Sequence, residues 1–226
     1  MKRYSRNMDM LSPEENASLS NFKVCVVGCG GLGGYIIEML ARLGIGHLTV
    51  VDGDVFEETN LNRQLLSDMD SLGKPKALVA KARVNSVNPL IKVKAINERL
   101  TEGNGLDILK DHDVVVDALD SVDTRLLIQN LSEELNTPLV HGAIAGWYGQ
   151  VTTILPGDRT LDVLYSNRDN NGLELELGNP SFTPALVASI EVSEVLKLLI
   201  KRGDLLRRRL LIINTLNQEY EAINLL

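Results

Sequence analysis

The sequence predicts an α/β fold with a mainly parallel sheet, helices on both of its faces, and an antiparallel C-terminal extension. Three observations lead there. Short apolar runs alternate with stretches of helical period through most of the chain, the pattern of repeated βαβ units. A glycine-rich turn joins the first apolar run to the first long helical stretch. Two strand-like runs around a tight turn close the chain, which suits an antiparallel hairpin added to the sheet.

The elements follow in order. Ser12-Pro-Glu-Glu15 reads as a capping box, with Pro13 in the first turn, so a short helix runs to about Leu19. Lys23–Gly28 is a continuous apolar run, as expected of a buried parallel strand. Leu32, Ile36, Met39, Leu40 and Leu43 recur at helical spacing, and Gly44 and Gly46 stop that helix. His47–Asp52 is the second strand. Gly73–Asn88 is amphipathic, with Pro75 in its first turn and Pro89 beyond its end. Ile91–Asn97 and the valine-rich Val114–Ala118 are the third and fourth strands. Val122–Leu135 is helical, with Ser121 as its cap, and Leu139–Ile144 and Gln150–Leu155 are further strands. Pro184–Arg202 is a helix with Leu186, Ile190, Val195, Leu198 and Leu199 on its apolar face. Leu210–Asn214 and Glu219–Ile223 form the closing hairpin.

These 226 residues, 44% of them apolar, suffice for one well-packed core. We read residues 1–226 as one domain, with residues 1–20 as an N-terminal arm and short helix, and residues 157–183 as a polar crossover or lid loop. Against 23 basic side chains stand 30 acidic ones, a formal charge of −7, which argues against nucleic acid as the main partner. No apolar stretch approaches the roughly 18 residues of a membrane span, and the N-terminus lacks the apolar core of a secretory signal. Cys25 and Cys29 are the only cysteines, so no disulfide framework is expected and a reducing cytoplasm is the default location.

Gly28-Cys-Gly-Gly-Leu-Gly33 sits between a strand and a helix, the context in which G-x-G-x-x-G binds phosphate. Glycines allow the tight turn and let backbone N–H groups approach an anion, and the helix N-terminus adds about half a positive charge. Gly28, Gly30, Gly31 and Gly33 are therefore candidate phosphate-loop residues. Asp52 ends the next strand 19 residues past Gly33, where a ribose-binding carboxylate is expected. The fold is thus Rossmann-like. The motif alone does not separate NAD from ATP.

Other residues favour ATP. Thr59-Asn-Leu-Asn-Arg-Gln64 and Gly73-Lys-Pro-Lys76 follow the second strand. Lysines at a helix start oppose its dipole by about 0.3–1 kcal/mol each, a cost explained where a lysine points at a phosphate. Arg63 and Lys76 then form a cationic clamp for a triphosphate; the competing reading is solvated surface charge. Asp120 lies beyond the carboxyl end of the fourth strand, where open α/β sheets bind ligands and where a carboxylate suits magnesium. Ser121 adjoins it. Asp117 reads as structural, satisfied by local backbone donors, and Arg125 as a phosphate contact or a simple ion pair.

Together GCGGLG, VVDGDVFEETNLNRQ, GKPK and VVDALDS resemble the ThiF/MoeB/HesA family, bacterial relatives of ubiquitin-activating enzymes, over about Lys2 to Pro156. The resemblance implies Mg-ATP-dependent adenylation of the C-terminal glycine of a small ubiquitin-like sulfur-carrier protein ending in Gly-Gly, for thiamine, molybdopterin or related biosynthesis. It implies that Gly31 and the other loop glycines approach the α-phosphate and that Asp52 holds the ribose. Asn60, Arg63, Gln64 and Lys76 line the phosphates, and Asp120 places magnesium. It also implies that Arg6, in Arg3-Tyr-Ser-Arg6, reaches the neighbouring subunit's ATP site, which makes a homodimer; the competing reading is a basic, frayed terminus.

The chain departs from many relatives in lacking two Cys-x-x-Cys pairs, so no zinc site is expected, and no cysteine stands where a thioester or persulfide would form. Cys25 reads as core and Cys29 as part of the loop. His141 reads as a hydrogen-bonded structural histidine rather than a contact to an incoming tail. Trp147 and Tyr148 either line a tail channel or cover the sheet, and His47 and His112 are expected in solvent. Three alternatives stand beside the adenylating enzyme. One is a tRNA-modifying dehydratase of the same superfamily, which the acidic charge disfavours. An NAD(P)-binding oxidoreductase is disfavoured by the clamp. A non-catalytic nucleotide-binding protein is disfavoured by intact Arg63, Lys76 and Asp120.

Overall fold

The computed structural model describes residues 2–166 and 177–225. Among the described residues eight strands form one sheet: β1 (Lys23–Val27), β2 (His47–Val51), β3 (Lys92–Ile96), β4 (Val114–Asp117), β5 (Leu139–Ala145), β6 (Tyr148–Ile154), β7 (Arg209–Asn214) and β8 (Glu219–Asn224). Their order is β3-β2-β1-β4-β5-β6-β7-β8. The pairs from β3 through β5 are parallel and those from β5 through β8 antiparallel. The expected sheet is therefore present, with its antiparallel extension.

The order in which successive strands are added reverses between β1 and β4. Crossovers to β2 and β3 run one way and those to β4 and β5 the other, which opens a crevice at the carboxyl ends of these strands. Buried strands send alternate residues to opposite faces. Val24 and Val26 pack with Leu48, Val50, Val116 and Val140 under α2 (Gly31–Leu43), α3 (Lys76–Val87) and α7 (Phe182–Ile200). Cys25 and Val27 pack with Val51, Val115 and Leu139 under α4 (Glu102–Leu109), α5 (Val122–Glu134) and α6 (Thr160–Leu164).

The first helix, α1 (Pro13–Ser18), has the expected box: Ser12 Oγ accepts from Glu15 N at 3.1 Å, and Glu15 Oε2 accepts from Ser12 N at 2.7 Å. Gly44 ends α2 at φ 97°, a left-handed position that glycine adopts freely. Ahead of α1, a single turn (Lys2–Tyr4) is pinned far from the crevice: Asn88 Nδ2 donates to Tyr4 Oη at 2.7 Å and Asn7 Nδ2 to the Leu43 carbonyl at 3.3 Å.

Helix α4 is not foreseen by the sequence. Two glycines dilute its pattern, yet Thr101 and Asn104 cap each other reciprocally, and Gly105 packs so closely on Leu131 of α5 that a Cβ would lie 2.3 Å from Leu131 Cδ1. The expected crossover loop contains α6, and α7 begins at Phe182 rather than Pro184. The loop's residues 167–176 lie outside the described residues. Among the described residues no helix is long and apolar enough to cross a membrane.

Candidate active site

At the end of β1 the backbone turns through Gly28, at φ 103°, whose N–H donates to the Val51 carbonyl at 2.8 Å. The turn is too tight for side chains. A Cβ on Gly28 would lie 2.4 Å from the Ala118 carbonyl oxygen, and one on Gly33 1.9 Å from the Gly28 carbonyl oxygen. Helix α2 starts at Gly31, so its free N–H groups face the crevice.

Asp52, one residue past β2, fastens this loop: Oδ2 accepts from Cys29 N and Oδ1 from Asp54 N, each at 2.8 Å. A carboxylate offers about four acceptor positions, so two remain for a ligand. The next segment folds over the loop from above. Asn60 Oδ1 accepts from Glu57 N at 3.0 Å and closes a turn, and the Asn60 carbonyl then accepts from Arg63 N and Gln64 N. This sets the Arg63 side chain against Gly31 and the Gln64 amide against Gly30, at 3.7 and 3.5 Å from the positions a Cβ would take there. Gln64 is buried, and its Oε1 has no partner among the described residues. A buried acceptor without a donor is costly, so this atom points to a bound group.

Lys76 opens α3 and is buried to 8% exposure; its Nζ lies 3.8 Å from Asp54 Oδ2, while Arg99 holds the other Asp54 oxygen at 2.9 Å. Beyond β4, Asp120 is exposed, and Ser121 caps α5 by accepting from Thr124 N at 3.5 Å. Gly28, Gly30, Gly31, Gly33, Asp52, Asn60, Arg63, Gln64 and Lys76 thus gather at the crevice, with Asp120 and Ser121 at the adjoining strand end. Arg6 does not join them. It lies exposed in the arm, by the C-terminal end of α2, a helix of 13 residues and therefore about 20 Å long.

Cys29 is fully buried, and burial pushes its thiol well above the ordinary range, with the Asp52 charge adding to the effect. Burial likewise pushes Cys25 up to about 12. Neither is a thiolate at neutral pH, so neither has the reactivity of a nucleophile in this fold.

Two readings of the sequence need correction. His112 is not in solvent: it is half-buried, with Nδ1 2.9 Å from the Leu109 carbonyl and Nε2 2.8 Å from Thr49 Oγ1. His47 is half-buried as well. Of the two readings of Arg125, the ion pair is the one present: its Nε lies 4.0 Å from Asp117 Oδ2, with both side chains buried. Arg125 also donates to the Leu119 carbonyl and to Tyr165 Oη, because α5 directs it inward. Asp117 and His141 are structural, as expected: both are fully buried, and His141 Nδ1 donates to Asp117 Oδ2 at 2.7 Å. Tyr165 carries no motif signal, and Asp54 lies inside VVDGDVFEETNLNRQ with no role read for it; only the folded chain brings them here. Trp147 and Tyr148 are exposed at the β5–β6 turn, where Trp147 packs on Phe182.

The ThiF family model matches residues 4–225. The SAMP-activating enzyme E1 of Haloferax volcanii is 37% identical over 228 residues, covering 99% of this chain and 84% of that protein. The sulfur carrier protein adenylyltransferase of Thermus thermophilus is 36% identical over 234 residues, covering 99% and 86%. The sulfur carrier protein ThiS adenylyltransferase of Bacillus subtilis is 32% identical over 204 residues, covering 87% and 60%. Among solved structures, Escherichia coli MccB crystallised with ATP superposes with a TM-score of 0.85 at 23% identity, over 100% of this chain and 72% of that one, a likeness of fold.

Proposed function

The chain belongs to the ThiF family, and on that premise we propose that it uses ATP to adenylate the C-terminal glycine of a small ubiquitin-like sulfur-carrier protein. The observation that carries this reading is the seating of the Arg63 side chain against Gly31 and of the Gln64 amide nitrogen against Gly30, which places donors over the glycine loop. A dinucleotide needs the glycine loop alone, whereas a triphosphate also needs cations over it. The relatives' names supply the substrate class.

The residues fit the nucleotide. The glycine loop is a cradle that any Cβ would fill, Asp52 keeps acceptor positions for ribose hydroxyls, and the Arg63 side chain and Gln64 amide nitrogen face the loop. Magnesium fits in the usual shared way. Among the described residues no group of three or more His, Cys, Asp or Glu side chains could hold a metal, so Asp120 would bind it jointly with phosphate oxygens. When bound it neutralises charge on the phosphates. We extend the reading to a zinc-free protein, for which elemental analysis should find no stoichiometric zinc; about one zinc per chain would contradict it.

The carrier's carboxylate, with an unperturbed pKa of about 3.5, is already ionised at neutral pH and needs no general base. One of its oxygens bonds to the α-phosphorus while the bond from that phosphorus to the bridging oxygen breaks. Pyrophosphate leaves with the electron pair. Loop N–H groups and the α2 N-terminus meet charge on the α-phosphate, and Arg63 and Lys76 meet charge on the leaving group. Arg6 is too far along α2 to serve its own site, which favours its acting in the partner of a homodimer.

Calorimetry and isotope exchange test the reading. ATP with magnesium should bind, NAD should not, and pyrophosphate should exchange into ATP only with a carrier ending in Gly-Gly. Tight NAD binding without ATP binding would sink it.

A further inference from the structure

We propose that Tyr165 and Arg125 are positioning residues for Asp120, members of a closed, partly buried ring of hydrogen bonds that grips the backbone just before that carboxylate. The inference rests on the functional reading above and adds residues to it.

The ring can be traced bond by bond. Leu119 N donates to Asp117 Oδ1 at 2.9 Å. Asp117 Oδ2 accepts from His141 Nδ1 at 2.7 Å. That bond leaves the proton of a neutral imidazole on Nδ1, so Nε2 is an acceptor, and Tyr165 Oη stands 3.2 Å from it as donor. Tyr165 Oη in turn accepts from Arg125 Nη1 at 3.1 Å and from Gln150 Nε2 at 3.2 Å. Arg125 Nη2 donates to the Leu119 carbonyl at 2.5 Å, which returns the ring to its start. Every donor in this circuit meets an acceptor, with one consistent tautomer.

The grip falls on both sides of Leu119. Its N–H is held by Asp117 and its carbonyl, part of the peptide group that leads into Asp120, by Arg125. Asp120 itself is exposed, so its backbone is clamped while its carboxylate stays available. The Arg125 guanidinium also lies over the Tyr165 ring, with its central carbon 5.8 Å from the ring centre. Five elements contribute: β4, α5, β5, β6 and the turn that ends α6. Asp117 and His141 are fully buried and Arg125 is 6% exposed. Burying such charges is costly, and a well-packed apolar set would stabilise a fold as well or better. What polar groups add is fixed direction, and the direction set here is that of the Asp120 backbone.

The test compares the full chain with its Tyr165→Phe and Arg125→Lys variants. The first deletes one oxygen; the second keeps the charge but replaces the planar fork of nitrogens with a single one. ATP affinity is measured by calorimetry with and without magnesium. Magnesium should tighten ATP binding to the wild type. Both variants should keep the metal-free affinity and lose about tenfold of the magnesium-dependent gain, the scale on which partners of metal-binding carboxylates act. Equal gains in folded variants and wild type overturn the proposal, as does a loss shared equally by metal-free and metal-bound ATP. If Arg125→Lys does not fold, Tyr165→Phe decides. The ring is also readable without ligand: the His141 Nε2 nitrogen resonance should move in Tyr165→Phe, and an unmoved signal overturns the proposal. A wild type that gains nothing from magnesium contradicts the functional reading and this one together, an outcome distinct from equal gains.

Discussion

Glu191 is fully buried on α7, and neither carboxyl oxygen has a hydrogen-bond partner among the described residues. Burial pushes its pKa well above the ordinary value, and the charge of Asp117 adds to the shift. A raised acid favours the folded state fully below its ordinary pKa, and that contribution is lost as pH rises toward the folded value. Glu191→Gln should therefore stabilise the protein more at about pH 8 than at about pH 5, by at most about 1.4 kcal/mol per pH unit. Denaturant titrations at the two pH values measure this, and an equal effect at both would refute it. His141 and His112 act in the opposite sense. Burial lowers both, so their contribution is present above the ordinary histidine pKa and lost as pH falls through their folded values. Asp120→Ala should abolish carrier-dependent pyrophosphate exchange while leaving the unfolding midpoint unchanged, because this side chain is exposed. The roles of Asp117 and Cys25 were legible in the sequence, since strand register alone buries them. That of Tyr165 was not, since its partners lie on α5, β5 and β6.

Among the elements, the strand–loop–helix unit that cradles phosphate is the most constrained. Gly33→Ala would set a methyl group 1.9 Å from the Gly28 carbonyl oxygen, and backbone on both sides prevents easy relief. It should weaken ATP binding and lower stability by about 1–3 kcal/mol, the range for overpacking, as read by calorimetry and thermal unfolding. Ser12→Ala removes a cap far from the crevice. It should cost about 1 kcal/mol of stability and leave nucleotide binding intact. This unit and cap were legible because glycine spacing and S-x-x-E act locally. Helix α4 was not: its propensity is poor, and what forms it is a Thr101–Asn104 box and the fit of Gly105 on α5. The clamp was half legible. The sequence offers Arg63, Gln64 and Lys76, but their approach to the loop depends on the turn closed by Asn60.

On the scale of the whole molecule, the arm and the crevice lie at opposite ends of α2, which makes the proposed function depend on association. Arg6→Ala and Lys76→Ala should each be nearly inactive alone. After subunit exchange, about a quarter of all sites should work, since half of a statistical mixture is heterodimer with one intact site each. No recovery despite confirmed exchange would show that Arg6 acts in its own subunit or not at all. The two cysteines lend themselves to another use. Both have zero solvent exposure and protonated thiols, and they sit on β1 and in the phosphate loop, at the middle of the sheet. A thiol-reactive dye can reach them only when the sheet opens. Labelling speed in native buffer is therefore a clock for rare opening events, requiring no introduced probe. Nucleotide that binds only the closed form should slow that clock in proportion to its saturation, so affinity can be read from thiols that take no part in the chemistry.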